Sequence, residues 1–123
     1  MDRQGFGGFI ARMRLKRGMS LRETAEKLEI SPMYLSDVER GRRSAFGLNR
    51  LRRFASIAGL SPEETETMFD LAGQNRGEIS PDLNEYISSN SYICSALRTV
   101  RSLNADKDDW VKMLEELRQR KGK

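Results

Sequence analysis

The sequence predicts an all-α fold, with a five-helix domain over residues 1–77 and a C-terminal helical segment over residues 78–123. Apolar residues recur at three- and four-residue intervals in each proposed helix, which is the spacing of one helix face. In addition, all three prolines directly follow a serine. A Ser-Pro pair supplies an N-cap side chain and a first-turn residue, so each pair marks the start of a helix.

The first domain is predicted to hold helices at Phe6–Arg17, Leu21–Leu28, Pro32–Arg40, Leu48–Ala58 and Pro62–Ala72. Glycines at positions 18, 41 and 73 are predicted to end three of these helices. The polar residues 74–78 then form a predicted linker, followed by helices at Pro81–Ser88, Tyr92–Leu103 and Asp106–Arg120. Gly7 and Gly8 indicate either a frayed start of the first helix or a close approach of another backbone.

The stretch from Leu21 to Arg43 has the pattern of a helix-turn-helix. Ser20 and Glu23 form a capping box before its first helix, and Ser31 with Pro32 starts its second. The small Ala25 allows two helices to cross closely over a short turn. The residues predicted to point inward are Ala25, Leu28, Ile30, Leu35 and Val38.

The pattern S-x-x-Y-L-S-x-V-E-R-G-x-R over Ser31–Arg43 resembles the Cro-like, XRE-type (lambda-repressor-like) family of DNA-binding regulators. The resemblance extends from about Phe6 to Gly73 and implies that the helix at Pro32–Arg40 enters the major groove of DNA. The sequence departs from the family pattern at Glu29, a turn position that is often glycine in the family. A glutamate in the left-handed conformation there would carry a strain of about 1 kcal/mol.

Carried over position by position, the resemblance implies two groups of DNA contacts. The residues implied to read bases are Pro32, Met33, Ser36 and Asp37. The residues implied to bind phosphate are Arg22, Tyr34, Arg40, Arg42, Arg43, Asn49 and Arg50. Chemically, Met33 can touch a thymine methyl group, and Asp37 can accept from cytosine N4 but is repelled by a nearby phosphate.

The charge distribution also favours a polyanionic partner. Residues 1–60 hold 13 Lys and Arg against 6 Asp and Glu, whereas residues 61–123 hold 9 against 12. The basic half contains the helix-turn-helix, and its positive field would attract nucleic acid. A merely solvated basic surface is the alternative explanation for charge alone.

The composition argues against an enzyme. The sequence has no histidine and a single cysteine, Cys94, so the commonest general base and metal ligands are missing. We therefore expect no catalytic residue, metal or cofactor. Cys94 is interpreted as a buried apolar residue, with a reactive or intermolecular thiol as the alternative.

The C-terminal segment carries too little apolar surface to fold alone, so it must pack on the first domain or on another chain. Its best candidate patch for a partner or a dimer consists of Trp110, Leu114 and Leu117, and Ile57 is a further interface candidate in the first domain. Packing of the patch within the same chain is the alternative.

The leading functional hypothesis is a sequence-specific regulator of transcription that binds double-stranded DNA, most simply a homodimeric repressor with a palindromic operator. The alternative is a protein-interaction module, an antitoxin or an inhibitor of another protein, that also represses its own gene. The acidic C-terminal half supports this alternative. RNA binding ranks third, because no run of exposed aromatic residues is available to stack bases. With neither a membrane span nor a signal peptide in the sequence, a cytoplasmic location is expected.

Overall fold

A computed structural model describes residues 5–122 of the chain, and this part contains eight α-helices and no strand. The all-α prediction is confirmed. The helices are α1 (Phe6–Lys16), α2 (Leu21–Leu28), α3 (Pro32–Glu39), α4 (Leu48–Ile57), α5 (Pro62–Arg76), α6 (Pro81–Ser88), α7 (Ser91–Ser102) and α8 (Lys107–Lys121). Helices α2 and α3 are the two helices of the predicted helix-turn-helix.

The capping signals in the sequence form the expected hydrogen bonds. At the start of α2, the Ser20 hydroxyl accepts the Glu23 N–H at 3.0 Å, and the Glu23 carboxylate accepts the Ser20 N–H at 3.1 Å. Ser61 and Glu64 form the same reciprocal pair before α5. The bond from the Ser61 N–H lowers the pKa of Glu64, as the bond from the Ser20 N–H lowers the pKa of Glu23. Both carboxylates are therefore stabilised in the charged form that caps the helix.

The predicted end of α5 is wrong. The helix continues past Gly73 to Arg76, and Gly77 takes the left-handed conformation that ends it, with φ of 67°. Gly73 is buried within the helix because the chain folds back over it. A Cβ atom at Gly73 would lie 2.8 Å from the Glu78 carbonyl oxygen. Glycine is thus required there for a close approach rather than for a turn.

One hydrophobic core is shared by α1 to α5. Its large, fully buried side chains include Phe6, Ile10, Leu28, Leu35, Val38, Phe46, Leu51, Phe54 and Met68. Phe46 lies in the loop after α3, and its ring meets the Phe6 ring edge to face, with centroids 5.5 Å apart. This contact fixes the loop against α1.

Helix α1 crosses α3 at very short range. A Cβ atom on Gly7 would lie 2.3 Å from the Val38 carbonyl oxygen and 2.7 Å from that of Glu39. Of the two interpretations of Gly7, the close approach is correct. Only a residue without a side chain allows the end of α3 to lie against α1 at this distance.

An ion pair between Arg14 and Glu39 joins the same two helices. Arg14 Nε and Nη2 donate to the two Glu39 carboxylate oxygens at 2.7 and 2.9 Å, and Nη1 donates to the Met19 carbonyl oxygen at 3.0 Å. The side chains are only 11% and 6% exposed. The hydrogen bonds that Arg14 donates to the Glu39 carboxylate raise the pKa of Arg14, so this arginine remains charged inside the domain.

The chain divides into two compact units between Glu85 and Tyr86, within α6. The first unit contains the helix-turn-helix and the core. In the second unit, neither α7 nor α8 contains a fully buried residue. Asp106 caps α8 by accepting the Asp109 N–H at 3.0 Å, whereas α7 begins without a side-chain cap.

Candidate nucleic-acid interface

The turn between α2 and α3 sets the direction of α3. Glu29 caps α2 in the left-handed conformation, with φ of 60° and ψ of 43°, and the Ile30 N–H then donates to the Ala25 carbonyl oxygen at 3.0 Å. Ala25 is fully buried beneath α3, as its small size predicted. The Glu29 carboxylate leaves this strained turn and forms an exposed ion pair with Arg53 at 3.0 Å. The turn therefore has the expected geometry without the glycine common in the family.

The N-terminal face of α3 is open to solvent. Pro32 and Met33 are exposed, with 76% of Met33 accessible. Ser36 and Asp37, one turn further along, are half-buried. The inward side of α3 is occupied by the core residues Leu35 and Val38. The four positions predicted to read bases thus lie on the side of α3 that the core leaves uncovered.

Three exposed arginines follow the base-reading positions. Arg40 caps the end of α3, and Arg42 and Arg43 lie in the loop after it. Ser36, Arg40 and Arg42 line one open cleft. The Arg43 guanidinium lies over the Tyr34 ring, 5.4 Å from its centroid. This end of the domain therefore combines an exposed helix face with concentrated positive charge.

The start of α4 lies next to the helix-turn-helix turn. Gly47 caps α4 without a side-chain hydrogen bond, and the first turn of α4 contains no acidic residue. Asn49 and Arg50 line an open groove together with Glu29 and Arg53. Uncapped amide groups at a helix N-terminus attract anions, and an adjacent arginine strengthens that attraction. Asn49 and Arg50 lie in this first turn of α4, while Arg22 is exposed in the first turn of α2.

Two basic residues at the C-terminal end of α1 form hydrogen bonds within the domain. Arg14 pairs with Glu39, and Arg17 donates to the Gly59 carbonyl oxygen. The sequence did not indicate the Arg14–Glu39 pair, because two residues separated by 25 positions leave no local periodicity.

The candidate interface residues have different surroundings. Ile57 is half-buried and packs against the core of the first unit. Trp110, Leu114 and Leu117 are 42%, 46% and 43% exposed and follow one another at helical spacing along α8. Cys94 is a free thiol of intermediate burial.

Comparison with known proteins identifies this arrangement. A family model described as a helix-turn-helix domain matches residues 6–68, which include α1 to α4 and the first half of α5. The chain belongs to this helix-turn-helix family. The resemblance to Cro-like, XRE-type domains is thereby confirmed, and the chain is a DNA-binding regulator of that class, one that is in general not enzymatic.

A chain of a solved structure, the SinR protein/SinI protein complex, is similar with 21% sequence identity and a TM-score of 0.46, over 96% of this chain and 99% of that one. Comparison with curated proteins gave no significant match.

Neither a metal cluster nor a membrane span is present in residues 5–122. No three His, Cys, Asp or Glu side chains in this range are grouped so that they could hold a metal ion. None of the helices in the same range is long and apolar enough to cross a bilayer.

Proposed function

We propose that this protein is a sequence-specific transcriptional repressor that binds double-stranded DNA as a homodimer and reads a palindromic operator in the major groove. The observation that carries the proposal is the uncovered N-terminal face of α3, followed directly by three exposed arginines. An exposed helix face of this kind fits the major groove, and the arginines can bind the phosphates along its edge.

The residues divide into two roles in this complex. Pro32, Met33, Ser36 and Asp37 face the bases, whereas Arg22, Arg40, Arg42, Arg43, Asn49 and Arg50 face phosphate, and Tyr34 lies beneath Arg43 on the phosphate side. Met33 is 76% exposed and suits a thymine methyl group, while the Ser36 hydroxyl can donate or accept at a base edge. The open amide groups at the start of α4 would hold one phosphate and thereby fix the register of α3 in the groove.

A dimer follows from the small reach of one recognition helix. A single helix contacts only a few base pairs, and a two-fold axis doubles the length of sequence that is read. Two half-sites separated by about one helical turn, roughly 34–36 Å, would then be bound together. We place the protein in the cytoplasm, where a bacterial or phage operator would be located.

The test is selection of binding sites from random duplex DNA, followed by native mass spectrometry of the complex. We expect a palindromic site occupied by two chains, with an affinity that falls as salt rises. Arg42→Ala should reduce the slope of affinity against salt by about one, whereas Arg98→Ala, outside the helix-turn-helix domain, should leave it unchanged. Recovery of no preferred site, or an unchanged slope for Arg42→Ala, would contradict the proposal.

A second candidate function is binding of another protein through α8. Trp110, Leu114 and Leu117 form an exposed apolar stripe, and no residue of α7 or α8 is fully buried. The acidic residues of the C-terminal half are not evenly distributed along the sequence. Residues 61–85 hold seven acids and one arginine, whereas residues 86–123 hold eight Lys and Arg against five acids. The apolar stripe, rather than acidity, therefore supports this candidate.

In this candidate function the chain is an antitoxin or an inhibitor of another protein and also represses its own gene. Changing Trp110 and Leu117 to serine should abolish co-purification of that protein. The matched control changes Lys112 and Gln119, which lie on the opposite side of α8, and should preserve it. If the stripe instead joins two copies of this chain, the same serine variant will convert a dimer to a monomer with no second protein present.

A further inference from the structure

We propose that Tyr34 is a positioning residue, whose ring holds the Arg43 guanidinium in place to bind a DNA phosphate. This inference rests on the DNA-binding function proposed above. The resemblance to the family implied two independent phosphate contacts at these positions. The geometry instead points to one phosphate-binding group, the guanidinium, and one aromatic support beneath it.

The ring is attached to a rigid part of the domain. Tyr34 lies in the first turn of α3, and its N–H donates to the Ser31 hydroxyl at 3.0 Å as part of the helix cap. The side chain is half-buried and packs against the core. Arg43 Cζ lies 5.4 Å from the ring centroid, within the range in which a cation is attracted to an aromatic face.

The backbone on either side of Arg43 is already held. On one side the Arg42 N–H donates to the Asp37 carbonyl oxygen at 2.8 Å. On the other side the Ala45 N–H donates to the Asn75 side chain at 2.7 Å, and Arg76 donates to the Ala45 carbonyl oxygen. The freedom that remains at Arg43 is therefore mainly that of its side chain.

Limiting that freedom should strengthen DNA binding. A free arginine side chain loses much rotamer entropy when it binds phosphate, and a group that is already oriented loses less. Within residues 5–122, no carboxylate forms an ion pair with Arg43, so its charge stays available for DNA. The ring attracts the guanidinium without neutralising its charge. A neighbouring glutamate or aspartate would neutralise it.

The test compares Tyr34→Phe with Tyr34→Leu in the full-length chain, using a selected operator and fluorescence anisotropy. Phenylalanine keeps the aromatic face and removes only the hydroxyl group. We expect Tyr34→Leu to weaken binding about twofold to fivefold, the range of an exposed cation–π contact, and Tyr34→Phe to bind like the wild type. In an Arg43→Ala background, Tyr34→Leu should have no further effect, whereas in an Arg42→Ala background its effect should persist in full.

A readout without DNA separates this inference from the proposed function. In the free protein, the ring current of Tyr34 should shift the Arg43 side-chain proton resonances, and Tyr34→Phe but not Tyr34→Leu should retain that shift. Circular dichroism confirms that each variant is folded. Wild-type protein that binds no duplex refutes the proposed function, whatever the resonances show. Equal weakening by Tyr34→Phe and Tyr34→Leu, full additivity with Arg43→Ala, or absence of the shift would each overturn the positioning role.

Discussion

The buried Arg14–Glu39 pair gives a sharp prediction about stability. Arg14→Ala removes both donors from the Glu39 carboxylate, which is only 6% exposed, and also the donor to the Met19 carbonyl oxygen. A carboxylate left charged and unpaired at this depth destabilises the folded state. We expect the free energy of unfolding to fall by about 3–5 kcal/mol, a large part of the stability of an ordinary domain.

The matched control is the exposed ion pair between Lys16 and Glu64. It also starts on α1 and has a similar N–O distance, 3.2 Å, but its lysine is 62% exposed. Lys16→Ala should therefore cost at most about 1 kcal/mol. Urea unfolding followed by circular dichroism measures both variants. Fluorescence is unsuitable, because Trp110 is the only tryptophan and lies outside the first unit.

The double variant Arg14→Met with Glu39→Met completes the test. Replacing both charges by apolar side chains removes the unpaired carboxylate, so the double variant should be markedly more stable than Arg14→Ala alone. The reasoning is refuted if Arg14→Ala costs no more than Lys16→Ala. It is also refuted if Arg14→Ala and the double variant unfold at the same urea concentration.

Three further predictions concern the backbone and the caps. Glu29→Gly should stabilise the protein by about 1 kcal/mol in urea unfolding, because glycine relieves the left-handed strain and only an exposed ion pair is lost. Gly7→Ala should destabilise it by about 1–3 kcal/mol in the same assay, since a Cβ atom 2.3 Å from the Val38 oxygen forces α1 and α3 apart. Protonation of Glu64, whose pKa the Ser61 N–H lowers from its usual value, should remove its cap bond. The stability that the charged Glu64 cap contributes is complete above the unfolded-state pKa and is lost as pH falls through the lower folded-state pKa. Glu64→Gln should therefore lose less stability than the wild type between about pH 6 and pH 3.

Each of these predictions has a control in the chain. Asn104 also has a positive φ, of 55°, but asparagine tolerates it better, so Asn104→Gly should stabilise less than Glu29→Gly. Gly47→Ala adds a Cβ atom to open space and should cost less than Gly7→Ala. Glu66→Gln changes an acid of the same helix that forms no cap, and its acid sensitivity should match the wild type. A reversed order in any pair would contradict the corresponding explanation.

Local patterns predicted most of the helices because their causes are local. The Ser-Pro pairs placed the starts of α3, α5 and α6 at the observed residues, since a cap and a first-turn proline act within one turn. The family pattern at Ser31–Arg43 likewise located the exposed face of α3. The end of α5 was missed because Gly73 resembles a helix stop locally, although it is needed for contact with a segment that follows the helix.

The sequence by itself determined the helix-turn-helix, its caps, its inward residues and the excess of positive charge around it. Only the tertiary structure decided which arginines remain available for DNA. Arg14 is bound to Glu39, whereas Arg43 lies over the Tyr34 ring and forms no ion pair with a carboxylate of residues 5–122. The tertiary structure also showed that Gly7 lies where α1 and α3 approach each other closely. The physical reason is range. Helix propensity and capping depend on residues within a turn of one another, whereas ion pairs and close backbone approaches join residues that only the folded chain brings together.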